Sequence, residues 1–527
     1  MIYVILILSG VLTALSTMVS YLGPLAFFSL APYLYILFKD SDTGRTKCRK
    51  LYLYGLVFSL SYFLAVYHWF WYLYPMEFLG FSPLTAFFVC LFFQIGLSLL
   101  QAVPYALMPI VFRYTRALGK YVYPIIFGLI WAVFEFLQTL TWAGVPWARL
   151  CLSQTLNLPL LNTASLFGST FVSFIIASLN GYIALAVSES IGESDRASLF
   201  RKLVKPISIF LAILLASSTM GALSIALIKG PDESEGVNVL LVQTNVGSGD
   251  KWDDYYSSFD KAYEMTKSAL EEESADIVLW PETTLLFSPR ENRSVNQKLT
   301  ELSVSSGAIV VVGCFEYIGD ETYNALVAYF PDGSIEEEGY YKRHLVPFGE
   351  YVPMRAFLTA VLPFLDDISM LSDDLSKGED SAVIKTDFGS LGRLVCFDSI
   401  YPTLSLDAVR DGATMMLLST NDSWYLDSAS AYQHKIHAQI RAIETGRWYL
   451  RCATTGISAI ISPSGETEES LAPLKEGYVR GTVYNLEHRT LYSYVGDLFT
   501  VTAFTVLALL CSCNLVIFIR KKRSSAA

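Results

Sequence analysis

Negative charge is nearly missing from the first half of this chain: only seven of its 49 acidic residues precede Lys229. The net charge of -11 therefore originates downstream. Without a basic face to neutralise phosphates, nucleic acid is excluded as a partner. Charged residues make up 17% of the chain against 53% hydrophobic, too apolar for an ordinary soluble enzyme. The eight cysteines include no Cys-x-x-Cys pair and no metal-ligand spacing, which argues against a disulfide framework or a zinc centre. No Lys or Arg precedes the first apolar run, as a cleaved signal peptide would require, and a second run follows at once.

What the chain does have is long apolar runs, at 2–19, 22–38, 51–74, 83–112, 121–140, 163–187, 206–228 and 497–519. A helix crossing the hydrocarbon core needs roughly 20 apolar residues, so eight spans are expected. The first two read as a tight hairpin around Tyr21-Leu22-Gly23-Pro24. Basic clusters follow every second run: Lys39, Arg45, Lys47, Arg49 and Lys50; Arg113, Arg116 and Lys120; Arg196, Arg201, Lys202 and Lys205; and Arg520 to Arg523. Short basic loops stay cytoplasmic. This rhythm places both termini in the cytoplasm and residues 229–496 outside the plasma membrane. The expected division is a membrane domain of seven helices (1–228), an extracytoplasmic domain (229–496), and an eighth helix with a basic tail (497–527). Aromatic clusters at Tyr67 to Tyr72 and Trp142 to Trp147 suit an interfacial belt. The second of them also suits a membrane-side substrate groove. Glu135 is a costly intramembrane carboxylate and a weak functional candidate.

The polar stretch alternates strand and helix patterns. Strands are expected at 237–243, 275–280, 308–313, 391–396 and 414–419, and helices near 255–272 and 431–449. One hairpin is expected around Pro331-Asp332-Gly333, and another at 457–461 with Pro463-Ser464-Gly465. The result is an α/β domain whose reactive side chains fall where strands end. Of the three cysteines here, Cys314, Cys396 and Cys452, the second leaves a buried strand and enters a polar turn, which suits a nucleophile. Glu282 follows Trp280-Pro281, whose indole would raise the carboxylate's basicity. Lys342 offers a fixed positive charge for an oxyanion, and Glu350 a carboxylate to orient it. Each has an ordinary alternative: a buried Cys is usually a small hydrophobe, and Glu–Lys pairs usually lie on the surface.

Together these residues resemble the nitrilase superfamily of carbon–nitrogen hydrolases. The resemblance runs through Gln243-Thr244-Asn245, Lys251-Trp252, Trp280-Pro281-Glu282-Thr283, Lys342 to Pro353, Cys396, Asn421-Asp422-Ser423-Trp424 and the helix with Arg441 to Glu444. It implies an α-β-β-α sandwich with Glu282 as base, Lys342 as oxyanion stabiliser, Cys396 as nucleophile and Glu350 as auxiliary carboxylate. Trp252, Phe397 and Asp398 would bind substrate, with no cofactor or metal. With its eight spans the chain is further similar to the apolipoprotein N-acyltransferases. That likeness implies a phospholipid acyl donor, a diacylglyceryl apolipoprotein acceptor, and a thioester intermediate at the bacterial inner membrane. One departure stands out. The family usually has Cys-Tyr-Glu where this chain has Cys396-Phe397-Asp398, losing a phenol hydroxyl and about 1.5 Å of carboxylate reach. A membrane-tethered amidohydrolase with the same triad, and a non-catalytic receptor that kept the fold, remain open. The apolar stretch 357–365 reads either as a lid dipping into the bilayer or as a packed core helix.

Overall fold

The computed structural model describes residues 1–43, 46–76, 80–115, 119–191, 195–228, 236–247, 250–251, 254–362, 365 and 374–524. The described residues fall into two compact units, one from 1–70, 89–227 and 494–527, the other from 71–88 and 228–493. Among the described residues six helices are long and apolar enough to cross a membrane by length and composition: Ser20–Asp40, Cys48–Leu73, Pro83–Thr115, Ser169–Ser190, Arg196–Leu227 and Leu498–Val516. The other two expected runs form shorter apolar helices, Ile2–Met18 and Tyr123–Leu137. The turn expected at Tyr21 to Pro24 is a 3-10 helix, Ser20–Phe27, that contains Pro24. The run at 163–187 is broken at Gly168, which takes φ 82°. Glu135 lies fully buried in this unit, where its Oε1 accepts from Trp131 Nε1 at 2.7 Å and from the Leu150 N–H at 2.8 Å. It is a structural tie between a helix and the chain that follows.

The second unit is a two-sheet sandwich. Branched apolar runs form β1 (Gly236–Gln243), β2 (Ile277–Leu279) and β3 (Ile309–Ile318), which pair in parallel. The sheet continues through β4 (Glu321–Tyr329) and β5 (Tyr340–Tyr341), both antiparallel. The second sheet holds β6 (Ile384–Thr386), β7 (Gly389–Val395), β8 (Met415–Thr420), β9 (Tyr449–Ala453), β10 (Ser458–Ile461) and β11 (Thr467–Leu471), with β7, β8 and β9 parallel. The last strand, β12 (Gly477–Tyr484), returns to pair with β1.

Alternation along the strands explains the layers, because successive side chains point to opposite faces. Val239, Leu241, Ile277, Leu279 and Val311 meet Leu391, Val395, Met415, Leu417 and Leu450 between the sheets. The intervening Leu240, Val242, Val278, Val310 and Val312 pack on the other face with Phe259, Ala262 and Ala269 of the helix Ser257–Glu272 and Val295, Leu299 and Leu302 of Arg293–Ser306. Helices Pro402–Arg410 and Ala429–Thr445 bury Leu404, Val409, Ile440 and Ile443. The expected α-β-β-α sandwich is present.

Several boundaries differ from expectation for local reasons. The helix expected to reach 449 stops at Thr445, because Gly446 takes a left-handed φ of 66° and the chain turns into β9. The Asp332-Gly333 turn forms as expected, and its return leg pairs back on β4, first through a bridge from Tyr329 to Ile335 and then through β5, where Tyr340 and Tyr341 face Leu326 and Ala325. The long antiparallel partner of β4 is β3, through a turn at Gly319-Asp320. The segment 355–361 is a short helix with none of its residues buried, so it is not a core helix; 363 and 364 lie outside the described residues.

Candidate active site

Parallel strands in each sheet bring their C-terminal ends, and the loops after them, to one edge of the sandwich. Glu282 follows β2, Cys396 follows β7, and Lys342 follows β5. All three are buried. Lys342 Nζ lies 2.9 Å from Glu282 Oε1 and 2.9 Å from Glu350 Oε1. Asn324 Nδ2 on β4 donates to the same two oxygens, at 2.7 Å and 3.0 Å. The second oxygen of each carboxylate accepts a backbone N–H, Glu282 from Asn421 at 2.6 Å and Glu350 from Val346 at 2.8 Å. Two carboxylates thus share one ammonium and one amide. Burial alone would pull the Lys342 ammonium down, but Glu282, Glu350 and the Cys396 sulfur outweigh it and hold it well above an ordinary lysine.

Two chain features fix Glu282. Gly313 on β3 passes so close to the Trp-Pro-Glu corner that a Cβ there would fall 2.2 Å from the Pro281 oxygen and 2.8 Å from the Glu282 Cα. Lys251 is buried, and its Nζ donates to the Glu282 and Thr283 carbonyls at 3.2 Å and 3.1 Å. Burial lowers this lysine to about 7, with Glu282 opposing. The indole of Trp280 does not line the carboxylate's surroundings as expected. It packs in the helix-side core and donates to Thr266 Oγ1 at 2.9 Å. Polarity around Glu282 is set instead by Lys342, Asn324 and the Asn421 N–H.

Cys396 sits at a sharp elbow, the first residue of a 3-10 turn, with φ at +48°. Non-glycine residues rarely hold this conformation, and it persists where neighbours over-determine it. Here Asp398 does so. Its Oδ2 accepts the Val395 N–H at 3.0 Å and the Tyr340 hydroxyl at 2.8 Å, and its Oδ1 accepts the His344 N–H at 2.7 Å. Burial raises the Asp398 carboxyl to about 6 against the pull of Lys342 and these donors. Burial also pushes the Cys396 thiol up, Glu282 adds to this, and Lys342 opposes it, so the resting sulfur carries its proton. The other two candidate thiols are packing groups: Cys314 lies in the helix-side core and Cys452 between the sheets. Cys396, Asp422 and His434 bring ligand-type atoms within 4.8 Å of one another. Asp422 already accepts from Thr420, His434 and Arg451, so the trio is a hydrogen-bonded network rather than a set of free metal ligands. A thiol, a carboxylate and a buried ammonium at one edge can move a proton from sulfur and hold negative charge on a bound carbonyl.

Comparison with known proteins gives the same picture in sequence. Residues 239–483 match the carbon–nitrogen hydrolase family, and residues 9–182 match the apolipoprotein N-acyltransferase N-terminal domain. An apolipoprotein N-acyltransferase of Geobacter metallireducens is 29% identical over 506 residues, covering 94% of this chain and 92% of that protein. One from Rickettsia typhi is 26% identical, with 94% of each chain covered. Along nearly its whole length the chain is similar to the apolipoprotein N-acyltransferases. Among solved structures, Saccharomyces cerevisiae Nit3, a nitrilase-superfamily member, aligns at 20% identity with a TM-score of 0.39, covering 51% of this chain and 96% of that one.

The family's usual Cys-Tyr-Glu is Cys396-Phe397-Asp398 here, and the structure shows what each change touches. Phe397 is buried, with its ring edge-on to Tyr401 at 5.5 Å. Asp398, expected at the substrate, is fully buried and spends both oxygens on the elbow. Trp252 lies outside the described residues. Asn324 and Lys251 escaped the sequence reading as site residues. Lys251 stood beside Trp252 in a quoted motif, whereas Asn324 carried no signal short of the β3–β4 pairing.

Proposed function

We propose that this chain transfers a fatty acyl group from a membrane phospholipid to the α-amino group of an S-diacylglyceryl cysteine at an apolipoprotein N-terminus. Glu282 takes the Cys396 proton as the sulfur attacks the acyl ester carbonyl. Lys342 holds the tetrahedral oxyanion, and collapse breaks the ester C–O bond. The proton on Glu282 passes to the leaving alkoxide, so lysophospholipid departs and the acyl group remains as a Cys396 thioester. The acceptor amine then attacks, Glu282 takes its proton, the C–S bond breaks, and the thiol is restored by that proton. Glu350 keeps Lys342 in place, while Trp252 and Phe397 contact the acyl or lipid part. No cofactor or metal takes part.

Residues 1–228 and 497–527 anchor the domain 229–496 on the outer side of the bacterial inner membrane, with both termini cytoplasmic. Such tethering suits two substrates that are themselves held in the bilayer. The helix Arg355–Val361 acts as a lipid-facing lid, since Met354, Phe357 and Val361 are 56%, 64% and 60% exposed. The Arg355–Asp374 ion pair closes the base of that loop. The observation that carries this reading is Cys396 on a left-handed elbow beside the shared Glu282–Lys342–Glu350 charges, in a chain similar over 94% of its length to an apolipoprotein N-acyltransferase.

The test incubates the purified full chain with acyl-labelled phosphatidylethanolamine. A hydroxylamine-sensitive label on the Cys396 peptide that chases onto the amine of a diacylglyceryl peptide is the expected result. Free fatty acid with no labelled peptide would make the chain a hydrolase. Undiminished transfer by Cys396→Ala would end the proposal.

A further inference from the structure

The nucleophile and the ammonium that would steady its oxyanion stand on different sheets, Cys396 after β7 and Lys342 after β5. Among the described residues, the hydrogen bonds that join residues 340–344 to 395–398 all run through one side chain, Asp398. Tyr340 pairs with Leu326 between β4 and β5, and its ring enters the core between the sheets, 1% exposed. From there its hydroxyl donates to Asp398 Oδ2 at 2.8 Å. Four residues on, the His344 N–H donates to Oδ1 at 2.7 Å. Lys342 lies midway between these two donors. Its own backbone is held on both sides at 2.8 Å, the N–H by the Asn324 carbonyl and the carbonyl by the Gly378 N–H. Asp398 in turn lies two residues past Cys396 and accepts the Val395 N–H at 3.0 Å.

These bonds make the carboxylate a tie between the sheets. Asp398 is 0% exposed, and burial raises its carboxyl to about 6, so near neutral pH it is chiefly ionised and both oxygens accept. Each oxygen takes one backbone N–H, one from either segment, and Tyr340 supplies the third donor. Hydrogen bonds to an ionised acceptor are roughly twice as strong as neutral ones. The phenol also suits the departure at this turn. With one methylene fewer than the family's usual glutamate, the carboxylate still has all three donors within 3.0 Å, because Tyr340 reaches it from the facing sheet.

We propose that Tyr340 is a positioning residue for the acyl transfer: acting through Asp398, it straps the Lys342 segment to the Cys396 elbow and so sets the spacing between ammonium and sulfur. An oxyanion donor is effective only when it already stands about 3 Å from where the charge will develop. Lys342 Nζ is fixed against Glu282 and Glu350. The sulfur follows an elbow at φ +48°, a conformation that neighbours must hold. The strap joins that elbow to the fixed ammonium. A misplacement of about 1 Å costs on the order of 100-fold in rate, and a loosened bond costs part of that.

The inference rests on the acyl-enzyme reading, so its test pairs a rate with a measurement that needs no acyl donor. The full chain in detergent is compared as the parent, Tyr340→Phe, Asp398→Asn and the two together. Hydrogen exchange by peptide mass spectrometry follows residues 340–346 and 394–399. Acyl-Cys396 formation is followed against phosphatidylethanolamine concentration. For Tyr340→Phe the expected result is faster exchange in both peptides, one on each sheet. Its maximal acylation rate falls about tenfold, with the half-saturating concentration unchanged. A hydroxyl that merely filled its place in β5 would leave the elbow peptide as in the parent. Adding Tyr340→Phe to Asp398→Asn should change nothing further, since the hydroxyl acts through the carboxylate. Parent-like exchange at the elbow, a parent-like maximal rate, or a double variant slower than Asp398→Asn overturns the proposal. Should Tyr340→Phe fail to fold, Asp398→Glu decides. It keeps the charge but adds a methylene to a buried strap, so exchange in both peptides and the maximal rate must change; parent-like values overturn the proposal. Failure of the functional reading looks different: the parent forms no acyl-Cys396, while exchange at the two peptides still decides the strap.

Discussion

Replacing Lys342 by methionine is the sharpest test of the charge arrangement. The ammonium is buried and equidistant from two carboxylate oxygens, 2.9 Å from each. Methionine fills most of the same volume without the charge. Glu282 and Glu350 would then face each other across one amide nitrogen, that of Asn324. Removing one member of a buried ion pair costs about 3–5 kcal/mol, because the partner's charge is left uncompensated. The variant has an escape, which is to protonate one carboxyl. Its folded form then holds a proton that the unfolded chain has released, so folded stability falls as pH rises, by up to about 1.4 kcal/mol per unit. The parent loses its contribution in a different pH range. Lys342 is held above an ordinary lysine, so its contribution is fully present at neutral pH and is lost only as pH rises through its raised folded value. Thermal unfolding of the full chain in detergent from about pH 5.5 to about pH 8.5 separates the two. The parent's midpoint should be nearly flat in this interval from this group, and that of Lys342→Met should climb towards acid. Adding Glu350→Gln should flatten the slope and restore stability, while acyl-Cys396 formation stays lost. A Lys342→Met chain with the parent's midpoint and slope would refute the shared-charge arrangement.

Three further outcomes are expected. Gly313→Ala, whose Cβ would fall 2.2 Å from the Pro281 oxygen, should displace Glu282 and slow thioester formation on the order of 100-fold, with alkylation of Cys396 by iodoacetamide retained; unchanged acylation would show that the corner has slack. Exchanging Met354, Phe357 and Val361 together for serine should slow use of vesicle phospholipid at least tenfold, from lost apolar burial, and spare a short soluble thioester; equal losses would remove the lid. Asp398→Asn tests the elbow brace through pH. The buried carboxyl is raised to about 6, so the folded parent binds a proton that the unfolded chain has lost, and stability declines as pH climbs from about 4 to about 6. The variant should lack that decline, worth on the order of 3 kcal/mol by two-state bookkeeping; identical pH slopes would show that Asp398 is not a buried acid.

What could be read from the residues alone follows from where the information is local. The strands β1, β2, β7 and β8 are runs of branched apolar residues bounded by polar turns, and they fall close to where that pattern puts them. Glu282 and Cys396 are visible because each follows or ends such a run, whereas Lys342 stands out through the Arg343-to-Glu350 stretch that follows it. The strand β9 was hidden because Gly446 stops a helix without any break in apolar spacing, and because Arg451 sits in the strand with its charge spent on Asp422. Asp398 is expected at the substrate only through its likeness to the family's Cys-Tyr-Glu. Only the crossing of Tyr340 and His344 over the elbow turns it inward.

The helix Ala429–Thr445 holds the more general lesson. Gln433, His434, His437, Gln439, Arg441 and Glu444 give it too much polar surface for a core helix, yet all six are buried. Buried polar groups must be paired, so a helix that is polar on its inward face has to meet a polar partner in the fold. Here the partners are the loop after β8, through Asp422, and the peptide of the nucleophile itself. A surplus of polar side chains on a helix that has no free face is thus a sequence-level pointer to a bracing network beneath a reactive residue. The identity of the braced residue emerges only when the adjacent parallel strands β7 and β8 bring Cys396 and Asp422, 26 positions apart, to the same ring of His434.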